Sequence, residues 1–394
     1  MGAKNTPWAM HVIDNSSEGA DGVRLADANG DGLMDIVTGW EEGGVVMVYL
    51  NPGADKVKSK WPSVVAGRVK DVEDAVFVDL DRDGALDVVS CCEGSTKSMF
   101  VHWAPADSEK YLDSVAWSTE AIPASRSVMQ WMFCLPLQVD GEAGLDLVAG
   151  GKKDNAAIGW FEAPADPRDL SQWKWHPISE AGWIMSLFAV DMDKDGDLDV
   201  LTSDRKGASR GVRWLEDPGP GPLQTGPWKN HFISARDRAV MFMTLSGPEH
   251  DSLSEILVSA KQKSLVYLRR DNVRSPVWEN LDIALPEHTG EAKAVAVADI
   301  NQDGKQDFVC TCEHAENRPG VFWVTPAEGL DGEGWEFHDI SGPAGTKYDL
   351  VVCLDLDGDG DLDVITCEEK ENLGVIWYEN PLKNSRLLRV MPHR

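Results

Sequence analysis

Five times in this 394-residue chain the same nine-residue phrase recurs: Asp, any residue, Asp or Asn, any residue, Asp, Gly, two residues, Asp. Its side-chain oxygens belong to Asp27, Asn29, Asp31 and Asp35; Asp79, Asp81, Asp83 and Asp87; Asp191, Asp193, Asp195 and Asp199; Asp299, Asn301, Asp303 and Asp307; and Asp355, Asp357, Asp359 and Asp363. Four hard ligands at this spacing suit calcium, with a glycine at the sixth position to let the backbone curl and a carbonyl at the seventh. An EF-hand would need a bidentate Glu at the twelfth position. That position holds Thr38, Ser90, Thr202, Cys310 and Thr366 instead. Acidic turns with glycine also make ordinary hairpins, but five copies at one internal spacing point to a cation. The expectation is about five structural calcium ions.

The elements around the phrase follow from what flanks it. Each copy runs into β-branched or aromatic residues such as Ile36-Val37, Val200-Leu201 or Phe308-Val309, with no helical period, so the loops join strand to strand. A tryptophan recurs at Trp8, Trp61, Trp117, Trp175, Trp228, Trp278 and Trp335, spaced by 50 to 58 residues. Several of these open a strand with His and Ile, as in Trp8-His11-Ile13 and Trp228-His231-Ile233, and several repeats close on an aromatic strand and a proline turn, as in Trp377-Tyr378-Glu379-Asn380-Pro381. Four strands per unit, a period in the fifties and seven units predict an all-β fold: a seven-bladed β-propeller of four-stranded blades, one domain over 1–394 with a tail at 382–394. Residues 8–13 should supply the outer strand of the last blade and close the ring, with 386–390 as a competing segment. Blade 3 carries Gln138, Asp140, Glu142 and Asp146 where the phrase should stand, which leaves weak binding open. Blade 5 carries Gly247, Glu249, Asp251 and Glu255, and the missing first ligand argues against a metal there.

The phrase, its place between two strands and the sevenfold repeat resemble the FG-GAP/VCBS-type repeat family. That resemblance implies calcium-bearing propellers of the kind found in the integrin α-subunit head. The literal Phe-Gly and Gly-Ala-Pro elements are absent, so an adhesion role is not implied. The Trp-x-x-His-x-Ile and Trp-Tyr-Glu-Asn-Pro elements look closer to secreted VCBS-repeat proteins. More loosely, they are similar to the propeller of aldos-2-ulose dehydratase, a lyase of oxidised sugars, although no catalytic residue of that enzyme maps onto a position here.

In such a blade the first strand begins, and the second ends, around the channel mouth on the face away from the loops. Those positions gather Trp40, Glu41, Trp131, Trp183, Arg238, Lys261 and Tyr348 as candidate ligand contacts for a carbohydrate or other small polar molecule. Rim loops are commonly polar without being sites. Two functions remain open. One is a sugar lyase or dehydratase, in which His314 is the base, Lys152, Arg205 or Lys293 stabilises an enolate, and Glu313 or Glu369 is the acid. The other is a noncatalytic module that binds a glycan or a protein, with the tryptophans as stacking platforms. His11, His176, His231 and His338 repeat at one strand position and read as structural hydrogen-bonding groups.

Bulk composition narrows the partners. The formal charge is −29, and 18 of the 66 acidic residues stand at the ligand positions of the phrases. The remaining excess of acid disfavours nucleic acid and anionic membranes. No apolar run reaches membrane-spanning length, and neither a nucleophile elbow nor a His-Glu-x-x-His element is present. Cys134, Cys310, Cys353 and Cys367 lie in apolar strand-like runs and read as small buried hydrophobes. Met1 to Pro7 lacks the apolar core of a secretory signal, whereas calcium loops suit a calcium-rich space, so a periplasmic or secreted location is expected, with the cytoplasm as the alternative.

Overall fold

The structure, a computed structural model, describes residues 6–142, 144–246, 254–272, 275–326 and 334–383. The strands among them form seven four-stranded antiparallel sheets. Blade 1 runs outward from the axis through Ala20–Ala26, Asp35–Trp40, Val45–Tyr49 and Ser63–Gly67. Blades 2 to 7 repeat this order, beginning with the inner strands Val72–Val78, Gln130–Leu137, Ile184–Val190, Val240–Ser246, Glu291–Ala298 and Tyr348–Leu354. Ala9–Asp14 pairs with Gly374–Glu379 as the fourth strand of blade 7, so the two ends of the described chain share one sheet. The competing segment 386–390 lies outside the described residues.

The second strand of each blade reads as a nearly unbroken apolar run because both of its faces are covered. Every residue of Asp35–Trp40, Asp87–Cys92 and Asp363–Glu368 is buried. Neighbouring blades approach closely where that strand carries a small residue in register: Gly39, Cys91, Gly150, Ser203, Ser259, Thr311 and Cys367. A Cβ at Gly39 would lie 2.4 Å from Cγ1 of Val72 in the next blade. Two of the hydroxyls also cross the boundary, Ser203 Oγ donating to Met241 O at 2.9 Å and Thr311 Oγ1 to Asp349 O at 2.6 Å. The cysteines expected to be buried hydrophobes are free thiols, with Cys134, Cys310 and Cys367 fully buried and Cys353 half-buried.

The four repeating histidines pack on the third-strand tryptophan of their own sheet: His11 on Trp377, His231 on Trp214 and His338 on Trp323 are stacked, and His176 is tilted against Trp160. Three of them bond a carboxylate, at 2.8 Å for His11 to Glu379, 2.8 Å for His176 to Glu162 and 2.5 Å for His231 to Glu216. Their role is to hold the outer strand, as their repetition suggested. No described helix is long and apolar enough to cross a membrane.

Candidate functional site

All seven inner strands break register at the same place, near their start: for example between Val72 and Asp74, Trp131 and Phe133, Ile184 and Ser186, and Ala292 and Ala294. A bulge re-aims a side chain, and here it turns one residue per blade into the channel. Those residues are Asp21, Glu73, Met132, Met185, Met241, Lys293 and Asp349, and every one lines the same cavity of about 270 Å³. Each stands six positions before the first residue of its blade's acidic phrase. A second ring stands fourteen positions after it, at the end of the second strand: Glu41, Glu93, Lys152, Arg205, Lys261, Glu313 and Glu369. Around the axis the outer ring is basic over blades 3 to 5 and acidic over blades 6, 7, 1 and 2. Beneath the basic arc the inner ring is methionine, with Phe133 and Phe242 beside it.

The acidic side is satisfied from within. Lys152 Nζ lies 2.5 Å from Glu73 Oε1 and also meets Glu93. Lys293 pairs with Asp349, Lys347 with Glu369, and Lys261 with Glu313. Burial pushes Glu73 up to about 8, with Lys152 opposing and Glu93 reinforcing the shift. Burial likewise raises Asp21 well above the usual carboxylate range, and neighbouring Asp349 adds to it. Burial works against the charge on Glu93 too, but hydrogen bonds from Glu73 and Lys152 outweigh it and hold this carboxylate low. Of the two carboxyls that face each shared lysine, one is thus pushed up and the other held down. Glu41 has no cation within ion-pair distance among the described residues, and burial raises it to about 7.

Within the basic arc, Lys152 and Lys261 are taken up by those carboxylates and Arg205 is not. Around the ring of Trp183 lie Lys206 Nζ at 4.3 Å, Lys152 Nζ at 4.7 Å, the Arg205 guanidinium at 4.7 Å and Lys153 Nζ at 5.8 Å. Arg205 makes no ion pair among the described residues, and its Nε and the Trp183 Nε1 are both shielded from solvent with no acceptor. Burial lowers the pKa of Lys206, and repulsion from Arg205, Lys261, Lys153 and Lys152 lowers it further. The arc is held from below by Asp204, fully buried, whose carboxylate accepts the amides of Gly182 at 3.0 Å, Trp183 at 2.8 Å and Lys206 at 3.3 Å. Such a cluster accepts an anion, and the fork of Arg205 suits a carboxylate.

On the opposite face the acidic phrases form the loops expected of them. The sixth-position glycines Gly32, Gly84, Gly196, Gly304 and Gly360 all adopt positive φ, between 84° and 107°. The ninth-position Asp is buried and staples the loop to the sheet: Asp35 accepts from the amides of Ala28 at 2.8 Å and Asn51 at 2.7 Å. Asp87, Asp199 and Asp363 repeat the arrangement. Carboxylate oxygens of Asp79, Asp81 and Asp87, and of Asp191, Asp193 and Asp199, converge to within 4.8 Å of one another. Asp79 Oδ1 is shielded and accepts no hydrogen bond. Cations from a neighbouring blade already lie against two loops, Arg168 Nε 2.5 Å from Asp81 and Lys58 Nζ 3.1 Å from Asp357. This all-oxygen donor set fits calcium. In blade 3 the Gln138 amide donates to the carbonyls of Glu142, at 3.0 Å, and Gly144, closing that loop by hydrogen bonds. The blade 5 positions Gly247, Glu249 and Asp251 lie outside the described residues.

The FG-GAP-like repeat family matches residues 27–90 and 299–366, which span the acidic loops of blades 1 and 2 and of blades 6 and 7. This chain is an FG-GAP-repeat propeller. No curated protein matches it.

The FG-GAP propeller brings together Lys152, Arg205, Lys293, Glu313, Glu41 and Trp183 around one cavity, with Lys261 bonded to Glu313 and Glu369 bonded to Lys347, a further lining residue. Other expected contacts are not surfaces at all. Trp40 is fully buried and donates Nε1–H to Tyr49 at 3.0 Å. Trp131 is fully buried against Phe161 and Trp175. Tyr348 is fully buried, its hydroxyl donating to Ala344 O at 2.7 Å and lying 3.1 Å from Tyr378. Large aromatics at strand ends are drawn into the space between blades, which the sequence position does not reveal. Arg238 turns outward to Asp282 at 2.6 Å. His314 stands on the rim, its side chain 57% exposed and 4.0 Å from Glu313, and does not line the cavity. The methionine arc and Asp349 escaped the sequence reading; counting six positions back from each phrase would have found them.

Proposed function

We propose that this FG-GAP propeller is a binding protein for a carboxylate-bearing carbohydrate, held in the channel mouth and stabilised from the opposite face by calcium in the five acidic loops. The observation that carries the reading is Arg205. It is the member of the basic arc without a carboxylate, it lies against Trp183, and three further cations surround the same ring. Five cations line the cavity. Of its six carboxyls, burial pushes Asp21, Glu73 and Glu41 up, against their ionisation. That lessens the negative charge facing the cations, which favours an anion there. The paired carboxyls across the cavity offer both donors and acceptors to sugar hydroxyls, and the apolar arc of Met185, Met241 and Phe242 offers a face for the ring carbons.

A second reading, elimination from the same ligand, is favoured by one feature. Glu41 at about 7 and Glu73 at about 8 share the cavity, and their carboxyls converge with Asp21 to within 4.8 Å. A base near neutrality and a protonated acid, with Arg205 neutralising the carboxylate whose α-proton is removed, are the parts an elimination needs. His314 is not among them. Calorimetric titration with uronates tests the binding reading, and ultraviolet absorbance of a new conjugated double bond tests the second. A calcium-dependent fold suits a location outside the cytosol.

A further inference from the structure

Two separate cavities lie along the inner strands, with Phe242 in the lining of both. Below the charged rings Arg24 reaches across from blade 1, its Nε and Nη2 donating to Asp74 of blade 2 at 2.9 and 3.0 Å and Nη2 to Cys134 O of blade 3 at 3.2 Å. The guanidinium lies 4.2 Å from the centre of the Phe133 ring, which packs on Phe242 at 6.1 Å. These side chains, tied to the inner strands of four blades, form a floor. Beneath it is a separate cavity of about 300 Å³ whose walls include Val23, Leu25, Val76, Phe188 and Val352. Its lining is mainly aliphatic and aromatic, with Thr244 and the already bonded Arg24 as its polar side chains, so sugar hydroxyls would find few partners there.

From this floor we infer that the site reads the end of an acidic glycan: one terminal uronate residue enters, carboxylate towards Arg205, and the chain leaves through the mouth. The inference rests on the carboxylate reading above. At about 270 Å³ the cavity lies just below the usual range of ligand pockets, about 300 to 1,000 Å³, which leaves room for one sugar ring and not for a run of them. A groove that grips the middle of a polymer is open at both ends. Here Arg24, Phe133 and Phe242 stand between the mouth and the lower cavity. Its polar partners are also concentrated on a single level, the two rings six positions before and fourteen after each phrase, so that only one residue of a chain can be fully recognised.

The test is calorimetry on the calcium-loaded chain with galacturonate and glucuronate monomers, their linear oligomers up to the hexamer, and hexamers chemically blocked at either end. The expected result is one protein bound per oligomer chain, affinities from trimer to hexamer within about threefold of each other, and a loss of about tenfold or more when the recognised end is blocked. Equal binding of the free hexamer and of both blocked hexamers, abolished by Arg205→Ala, overturns the end-reading while leaving the carboxylate site standing. Several proteins per hexamer would overturn it in the same way. Absence of binding by any uronate, monomer or oligomer, overturns both.

Discussion

The guanidinium of Arg205 lies 4.7 Å from the centre of the Trp183 ring, and the carboxylate of Asp204, next to Arg205 in sequence, accepts the Trp183 amide at 2.8 Å. The stacking leaves the planar fork of Arg205 held in place with its Nε unsatisfied, and a cation on a partly desolvated tryptophan is worth roughly 1 kcal/mol. The site is therefore preorganised before any ligand arrives.

Replacing Arg205 with Ala should cost about tenfold to a hundredfold in uronate affinity, the size of a lost hydrogen-bonded charge contact of about 1.5–3 kcal/mol. Because Arg205 has no ion pair among the described residues, the melting temperature should change little, the lost contact with Trp183 being set against the relief of repulsion between Arg205 and Lys206. Arg205→Lys should fall between, since it keeps the charge and loses the fork. Calorimetry and a thermal melt on the same three proteins decide the matter, and unchanged affinity in the Ala variant would remove the observation on which the proposed function stands.

The Glu73 carboxyl gives a pH dependence with a definite sign. Folding raises it from 4.5 to about 8, chiefly through burial. Between those values the folded chain keeps a proton that the unfolded chain has released, so this contribution is fully present below about pH 4.5 and is lost as pH rises through about 8. The slope from one such group approaches about 1.4 kcal/mol per pH unit within the window. Glu73→Gln retains a donor towards Glu93 and cannot ionise. Its urea-denaturation stability should therefore decline less steeply than the wild type from pH 5 to pH 8, measured in calcium; parallel profiles would show that Glu73 is already ionised in the folded chain.

The extent to which this site could be read from sequence depended on which residues repeat. Position fourteen after each phrase is charged in every blade, and charge at a strand end is conspicuous, so Glu41, Lys152, Arg205, Glu313 and Glu369 stood out. Position six before it is Asp, Glu, Met, Met, Met, Lys and Asp, and three methionines inside apolar strands look like core. Only the bulge, a backbone feature without a residue signature here, turns them to the channel. The tryptophans misled for the opposite reason. Trp40 and Trp131 sit at strand ends, but with small residues such as Gly39 and Cys91 drawing the blades together, the space between sheets takes them in. Ring closure by Ala9–Asp14 was suggested by a Trp-His-Ile pattern that matches the other outer strands, but 386–390 competed for the same slot and sequence alone did not decide between them.

Calcium in the acidic loops predicts an ordered pair of variants. Asp79 belongs to a complete phrase and has an oxygen with no hydrogen bond, whereas Asp140 lies in the loop that Gln138 closes by itself. In millimolar calcium Asp79→Ala should lower the melting temperature by several degrees and Asp140→Ala by little. In excess EGTA the wild type should itself melt lower, since ion binding to the folded state is lost, and the gap between the two variants should shrink. A gap of the same size with and without chelator would mean that Asp79 acts through its bond to the Gly84 amide alone.

The approach of neighbouring blades predicts a second ordering, independent of any ligand. At the register position where each second strand meets the next blade, a Cβ on Gly39 would lie 2.4 Å from a side-chain carbon of Val72, and one on Gly150 would lie 2.9 Å from two carbons of Ile184. Both neighbours are β-branched inner-strand residues at or beside a bulge, with little freedom to move aside. Overpacking of this kind costs about 1–3 kcal/mol, so Gly39→Ala should destabilise most and Gly150→Ala less. Cys91→Ala at the same register removes volume instead and should cost only about 1 kcal/mol. Val72 adjoins Glu73, and Ile184 adjoins Met185, so both glycine variants should also shift a channel-lining side chain and weaken binding, while Cys91→Ala leaves it alone. Urea denaturation followed by ligand titration reads both effects, and a Cys91→Ala variant less stable than Gly39→Ala would contradict the packing argument.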